Sequence, residues 1–371
     1  MIKWAEIKAV LLRMDWWLVL VIAALMGAGI AFIYSACYRH DDLPVSLLYQ
    51  KQIVWCGVGF VCFLTVLFVD YRRLGENAFW LYLIGLVLLV LVLLVGKKVY
   101  GAYRWLSFFG IQVQPSEFAK LSTLVALAAF LGRSDRDVCR METIAGALAI
   151  MTIPFLLILK EPDLGTAMVL VPMVFGMLFV AGMPLRILLF LLFLGTLVLP
   201  VGWLVLSPYQ KDRLMVFVDP DRDPLGAGWN MVQSVIAVGS GGVTGKGFLQ
   251  GTQNILGFLP RTVAPTDFIY SVIAEETGFV GSMVIMGLYV LLLSFCIRAA
   301  GAARDRFGRL LAVGVAIMMC CHVFVNLAMT VGLMPITGLP LPLISYGGSF
   351  MVGTMISLGI VQSVYVRRVE R

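Results

Sequence analysis

Asp267 stands where a long polar loop meets a long apolar run, directly behind Pro265 and Thr266. A carboxylate at such a boundary can cap the helix that follows by accepting from its first backbone N–H groups. An ionised carboxylate can also act as a general base that removes a proton from a hydroxyl group. Asp267 is therefore either a structural cap or a catalytic residue, and the other ionisable residues must decide.

Glu117 and Lys120 lie three residues apart behind Pro115, at the start of an apolar segment. Residues with this spacing share one face of a helix. Charges inside a membrane helix are costly and usually mark a functional site, although a self-neutralising pair is the alternative. Asp163, in the short charged turn 160–166, either caps the next helix or brings another carboxylate to the same surface.

Lys246 lies in the glycine-rich stretch 239–247. Glycine-rich backbone beside a lysine can hold phosphate, but the spacing is not that of a Walker motif, so this signal alone is weak. His322 and Asn326 are one helical turn apart, and we interpret them as a packed polar pair between helices.

The composition decides which elements must position these residues. Of the 371 residues, 61% are hydrophobic and 13% charged, and the mean hydropathy is +0.96, values typical of a polytopic membrane protein. We predict an all-α integral membrane protein with about ten transmembrane helices. The apolar windows are 16–36, 52–69, 78–96, 115–132, 142–159, 164–182, 186–206, 268–297, 310–333 and 344–366.

Lysine and arginine are concentrated in alternate loops, which places both termini in the cytoplasm. The formal net charge of +7 therefore reflects membrane topology and not nucleic-acid binding. We expect residues 1–371 to form one polytopic membrane domain, with an extracytoplasmic loop, 207–266, between spans 7 and 8. The seven cysteines lie mostly in spans, so no disulfide framework is expected.

Three local patterns predict departures from straight helices. The loop contains two apolar-rich segments, Tyr209 to Val218 and Trp229 to Val238, that favour short interfacial helices. Span 8 is too long for a membrane of ordinary thickness, and Gly278 is its predicted weak point. The three prolines of 332–349 predict a helix break at membrane depth, lining a cavity with polar groups from Ser345 and Tyr346.

Four polar segments map to the outer face: 101–120, 160–166, 207–267 and 334–349. They carry carboxylates and cations but no nucleotide-binding motif. The predicted site therefore opens outward and suits an anionic, amphiphilic substrate arriving from the outer leaflet.

The chain contains a series of motifs in a recognisable order. They are Arg104-Trp105-Leu106, Gln114-Pro115-Ser116-Glu117, Glu161-Pro162-Asp163-Leu164-Gly165-Thr166, Asp223-Pro224-Leu225-Gly226, Gly245-Lys246-Gly247, Thr266-Asp267-Phe268, Ala274-Glu275-Glu276 and Ser345-Tyr346-Gly347-Gly348-Ser349. The chain resembles the SEDS family of polytopic peptidoglycan glycosyltransferases. Gly251-Thr252-Gln253 resembles the RodA branch more than the FtsW branch.

The resemblance implies an inverting transfer that polymerises lipid II, a disaccharide-pentapeptide carried on undecaprenyl pyrophosphate, at the outer leaflet during cell elongation. It makes Asp267 the base. Arg104, Lys120 and Lys246 are the candidates for binding the pyrophosphate, and Glu117 and Asp163 the candidates for orienting them or the sugar. Trp105, Ser345 and Tyr346 complete the expected substrate site.

No cofactor is certain from the resemblance, but an alternative role for Asp267 is to hold a divalent cation, Mg²⁺ or Mn²⁺, against the pyrophosphate. The expected partners are lipid II, a class B penicillin-binding protein, other elongation-complex membrane proteins and membrane lipid, with no nucleic acid. The expected location is the bacterial cytoplasmic (inner) membrane. A lipid-linked precursor flippase or transporter is the main alternative, and a recruiting scaffold a third.

Residues 259–266 depart from the family pattern, because the segment is two residues longer and Arg261 replaces an acid. We predict that this segment covers the site and controls substrate entry or product release. Shortening it by two residues and placing glutamate at 261 should change lipid II affinity or polymer length more than single-turnover rate. Unchanged affinity and chain length would make the insertion neutral.

Overall fold

The computed structural model describes residues 4–38, 47–99, 102–108, 111–133, 137–259 and 263–369. Arg261 and its neighbours 260 and 262 lie outside these ranges, so the expectation for that segment stays a prediction.

The first half of the chain contains nine helices and three short strands within the described residues. In chain order they are α1 (Trp4–Arg13), α2 (Trp16–Cys37), α3 (Leu48–Phe68), α4 (Tyr71–Glu76), α5 (Ala78–Val95), β1 (Lys97–Val99), β2 (Ala102–Phe108), β3 (Ile111–Val113), α6 (Pro115–Leu131), α7 (Met141–Lys160), α8 (Leu164–Val180) and α9 (Leu185–Val205).

The second half begins with the long loop. Its elements are α10 (Pro208–Val218), α11 (Ala227–Ser240), α12 (Thr252–Ile255), α13 (Ile269–Ala302), α14 (Arg306–Thr330) and α15 (Gly348–Val366), with single 3₁₀ turns at Pro220–Arg222 and Arg367–Val369. Helices α10 and α11 contain the two helical segments predicted in the loop.

Each of the ten predicted spans coincides with a helix. Seven of these helices are long and apolar enough to cross a membrane. The other three are α6, α8 and α9, so the total of ten crossings stays a prediction, as does the side on which each loop lies. Helices α14 and α15 form the centre of the bundle, with 61% and 83% of their apolar windows buried.

The mostly helical fold includes one short sheet that the sequence did not predict. Strands β1, β2 and β3 form an antiparallel sheet in which Lys98 pairs with Tyr103 and Ser107 with Gln112. The three aromatic residues of β2 favour a strand, and pairing with β1 and β3 satisfies its backbone. The sheet leads into α6, whose first residue is Pro115.

Helix α13 is bent at the predicted position. Gly278 has φ 66° and ψ −159°, a conformation that a side chain resists. The break frees backbone groups, and the glycine-rich loop pairs with them: Lys246 N donates to Glu275 O, and Gly247 N to Glu276 O, both at 3.0 Å. Because these N–H groups are used in this way, the glycine-rich stretch supports the bend and does not form a phosphate cradle.

The proline-rich segment between α14 and α15 is not helical, as predicted. Its carbonyl groups find side-chain donors, since Tyr289 donates to Pro342 O at 2.5 Å and Gln52 to Ser345 O at 3.2 Å. Leu341 and Ile344 are fully buried. Protein therefore covers the broken backbone, which is the condition for such a break within a membrane.

Gly278→Ala should destabilise the protein by about 1–3 kcal/mol through backbone strain, and the added Cβ would also lie 2.3 Å from Gly245 N. The matched control is Gly287→Ala, on the same helix, where no atom lies within 4 Å of the new Cβ. Thermal unfolding in detergent should separate the two variants. Equal melting temperatures would show that the bend is not rigidly specified.

Candidate functional site

The turn between α7 and α8 holds Asp163 in place through several bonds. Its carboxylate accepts from Thr166 N at 3.2 Å, as an N-cap of α8, and from the Gln114 side chain at 3.0 Å. Arg104 reaches over from β2, with Nη1 4.0 Å from Asp163 Oδ1. Both roles predicted for Asp163 are thus combined, since it caps a helix and also faces the residues that precede α6.

Asp267 lies in a tight turn just before α13. The backbone N–H groups of Thr266, Asp267 and Phe268 all donate to Val263 O, at 3.0–3.2 Å. The helix begins at Ile269 without a side-chain cap, so the structure does not support the alternative in which Asp267 is a helix cap. The backbone N–H groups of the turn donate instead to a carbonyl oxygen within the turn itself.

The side chain of Asn326 fixes this turn. Its Nδ2 donates to Asp267 O at 3.0 Å and to Leu339 O at 2.8 Å, which ties the start of α13 to the proline-rich segment. Ser345 adds a second tie, because its hydroxyl donates to Thr266 O at 2.6 Å and accepts from Leu341 N at 2.8 Å. Ser345 therefore positions the Asp267 turn and does not present a free hydroxyl to a ligand.

Gly338 leaves the space into which Asp267 points. A Cβ on Gly338 would lie 3.4 Å from Asp267 Oδ2 and 3.5 Å from Arg213 Nη1. Asp267 Oδ2 and Arg213 Nη1 therefore both border the space over this glycine, which also has the left-handed φ of 74°.

Arg213, on α10, is the functional candidate that sequence reasoning missed. Its guanidinium lies 4.7 Å from the centre of the Tyr209 ring and forms no hydrogen bond or ion pair with the described residues. It borders a small open pocket that Pro162, Leu164, Tyr209, Pro335 and Thr337 also line. An arginine next to the sequence Tyr-Gln-Lys-Asp had no motif to distinguish it from other basic loop residues.

The electrostatics of Asp267 reflect burial and two cations. Burial raises the pKa of the Asp267 carboxyl, while Arg213 and then Arg104 act in the opposite direction. The ionisation of Asp267 therefore depends on a balance between desolvation and two guanidinium groups. A carboxylate with a raised pKa accepts a proton more readily than an exposed aspartate.

Among the described residues, no group of three or more His, Cys, Asp or Glu side chains could hold a metal ion. The neighbours that act most strongly on Asp267 are the cations Arg213 and Arg104. The alternative in which Asp267 holds a divalent cation against the pyrophosphate stays a prediction, and we derive no step through a metal ion.

Glu117 and Lys120 form the predicted pair. The ammonium lies 3.0 Å from Glu117 Oε1 and 2.8 Å from His322 Nε2, and Lys120 is only 1% exposed. His322 and Asn326 are both buried, as predicted for polar residues packed between helices, and each bonds to a different segment of the chain. The enclosed position of Lys120 does not support a direct role at the pyrophosphate in this conformation.

Lys246 belongs to a separate cluster. Its ammonium lies 2.7 Å from Glu275 Oε1 and 2.7 Å from Thr252 Oγ1, with Glu275 fully buried. The structure therefore pairs Lys246 with Glu275, and it does not place Lys246 among the contacts of Asp267.

The remaining predicted site residues flank the Asp267 turn or the sheet. Tyr346 is half-buried, and its backbone N–H donates to Pro265 O at 2.9 Å. Trp105 is half-buried on β2, beside Arg104. Their contact with substrate stays a prediction.

Comparison with known proteins identifies the family. A family model described as "Cell cycle protein", which covers FtsW, RodA and SpoVE, matches residues 15–370. The chain belongs to this family.

Three relatives extend this result over almost the whole chain. The chain is 36% identical to the peptidoglycan glycosyltransferase RodA of Treponema pallidum, over 95% of this chain and 98% of that protein. It is 37% identical to the peptidoglycan glycosyltransferase MrdB of Escherichia coli, over 96% and 94%. A solved peptidoglycan synthase complex that coordinates polymerisation and crosslinking contains a chain with 36% identity and a TM-score of 0.80, covering 96% and 99%.

The enclosed Glu117–Lys120 pair should be strongly coupled. Glu117→Ala or Lys120→Ala alone should cost about 3–5 kcal/mol of stability, because each leaves an uncompensated buried charge. The double variant should lose less than the sum of the single losses. The measurement is the free energy of unfolding in detergent of the wild type, the two single variants and the double variant.

The exposed pair Asp137 and Arg140, with the same spacing, supplies the matched control. The coupling free energy between Asp137 and Arg140, measured with the same set of variants, should be near zero. Strictly additive losses at Glu117 and Lys120 would refute the coupling.

Proposed function

We propose that this chain is a peptidoglycan glycosyltransferase that polymerises lipid II into glycan strands during cell elongation. The named relatives support the reaction class. The observation that carries the proposal is that Asp267 and Arg213 both border the space over Gly338, while Arg104, on β2, reaches the turn that holds Asp163. In this arrangement two guanidinium groups act electrostatically on one basic carboxylate.

The proposed reaction needs these two functions. Asp267 removes the proton from the acceptor sugar hydroxyl while the hydroxyl oxygen attacks the anomeric carbon of the donor. The bond from that carbon to the pyrophosphate breaks, and the leaving group keeps the electron pair. A single carboxylate suffices, because transfer with inversion requires no covalent intermediate.

Arg104 and Arg213 are the proposed pyrophosphate ligands. Guanidinium groups bind phosphate oxygens through two parallel N–H bonds and stabilise charge that develops on a leaving group. Lys120 and Lys246, which the resemblance also suggested, are each already paired with a buried glutamate. We therefore assign these two lysines to the support of the site.

The proposal extends to location and partners. The seven apolar helices show a multi-pass membrane protein, and we place it in the bacterial cytoplasmic membrane with Asp267 toward the outer leaflet. The solved relative coordinates polymerisation with crosslinking, which supports a class B penicillin-binding protein as the transpeptidase partner.

Purified protein given labelled lipid II in detergent, without vesicles, tests the proposed reaction. The wild-type chain should form polymer, and Asp267→Asn should lose about 10²–10⁴-fold in rate because an amide cannot accept the proton. The acid limb of the pH profile should lie above the usual range of aspartate, since the base must be ionised and its pKa is raised. Arg213→Gln should weaken lipid II binding.

Two exposed residues of the same loop supply controls: Asp212→Asn for the carboxylate and Arg222→Gln for the guanidinium. Both should behave as wild type. Wild-type turnover by Asp267→Asn would remove Asp267 from the mechanism. Absence of polymer, together with transport of the lipid across vesicles, would identify a flippase.

A further inference from the structure

Glu161 is a buried carboxyl group that the proposed mechanism does not use. It follows Lys160 at the end of α7, and its side chain is 0% exposed. Neither of its carboxyl oxygens has a hydrogen-bond partner among the described residues. An ionised carboxylate in such a position would lose its hydration without compensation, so the position favours the protonated acid.

The neighbouring guanidinium does not compensate this carboxyl. Arg104 Nε donates to the backbone oxygen of Glu161 at 3.3 Å, and Nη2 donates to Pro162 O. The third nitrogen of Arg104, Nη1, lies 4.0 Å from Asp163 Oδ1. Arg104 is therefore bonded to the backbone of the turn and paired with Asp163, while the Glu161 carboxyl receives none of its N–H groups.

The other charged groups around the turn have opposite effects on the pKa of Glu161. Asp163, two residues along, repels a second negative charge, whereas Arg104 from β2 attracts it. Lys160 is exposed, and Arg213 from α10 borders the pocket at Pro162. Burial, followed by Asp163, raises the pKa of Glu161 to about 9, so the group is neutral at neutral pH.

We propose that Glu161 is a positioning residue that acts as the neutral acid and leaves the positive charge of Arg104 available to the pyrophosphate of the donor. This inference rests on the proposed function. With Glu161 neutral, Arg104 faces the carboxylate of Asp163, and both guanidinium groups act on that of Asp267. Ionisation of Glu161 would add a negative charge beside Arg104 and weaken the binding of a polyanionic group.

The pH dependence of lipid II polymerisation by wild type and Glu161→Gln tests this role. The amide keeps the shape of the neutral acid but cannot ionise, so Glu161→Gln should polymerise like wild type at neutral pH. Above about pH 9, the wild-type kcat/KM should fall by about tenfold per pH unit through a rise in KM. In Glu161→Gln this alkaline limb should be absent or displaced to higher pH.

Two results would overturn the proposal. A loss of tenfold or more at neutral pH in a folded Glu161→Gln protein would show that the acidic proton or the ionised form is required. An unchanged alkaline limb in Glu161→Gln would assign that limb to another group. Thermal unfolding of the variant distinguishes either result from misfolding, and a merely structural role would leave the pH profile unaltered.

A binding measurement separates this inference from the proposed reaction. Asp267→Asn, which cannot turn over, should bind a polyprenyl pyrophosphate more weakly as the pH rises through the Glu161 pKa, and Asp267→Asn/Glu161→Gln should not. Failure of the wild type to polymerise lipid II would remove the proposed function without deciding this comparison. Equal pH dependence in the two binding curves would contradict the role of Glu161 itself.

Discussion

The two hydrogen bonds of the Asn326 amide are the interaction on which the candidate site depends. One amide group joins the turn before α13 to the proline-rich segment before α15, at Asp267 O and Leu339 O. Polar backbone within a membrane protein must be satisfied by protein, because hydrocarbon offers no partners. The same bonds that meet this requirement also hold the Asp267 carboxylate beside Gly338.

The basic residues differ in whether their positive charge is available to an anionic ligand. Lys120 and Lys246 are each paired with a buried glutamate, and their ammonium groups are committed to the protein. Arg213 forms no ion pair among the described residues, and Arg104 lies within 4.0 Å of one described carboxylate, that of Asp163. Charge for binding an anion is therefore available at the turn between α7 and α8 and on α10, close to the proposed base.

The sequence was sufficient for the features that depend on local rules. Apolar windows located the ten helical segments, Gly278 marked the bend of α13, and prolines marked the break before α15. The strands near Trp105 were missed because short alternating segments give a weak signal beside long apolar runs. The sheet is nevertheless what carries Arg104 to the turn at Asp163.

Side-chain partners could not be predicted in the same way. Asp267 looked like a helix cap from its neighbours in sequence, but the cap is replaced by bonds to Val263 O that depend on the local turn. Arg213 lies in no recognisable motif. Its importance arises because the fold brings its guanidinium from α10 to the space over Gly338. The coupled pair Glu117 and Lys120 was predictable, whereas its third member, His322, comes from a helix about 200 positions later in the chain.

The most direct test of the central claim is a structure of the Asp267→Asn protein with lipid II bound. The pyrophosphate should lie against Arg104 and Arg213, with a sugar hydroxyl facing residue 267 above Gly338. A pyrophosphate bound at Lys246 and Glu275, or anywhere else that leaves Arg213 and residue 267 without contact to the lipid-linked sugar, would contradict it.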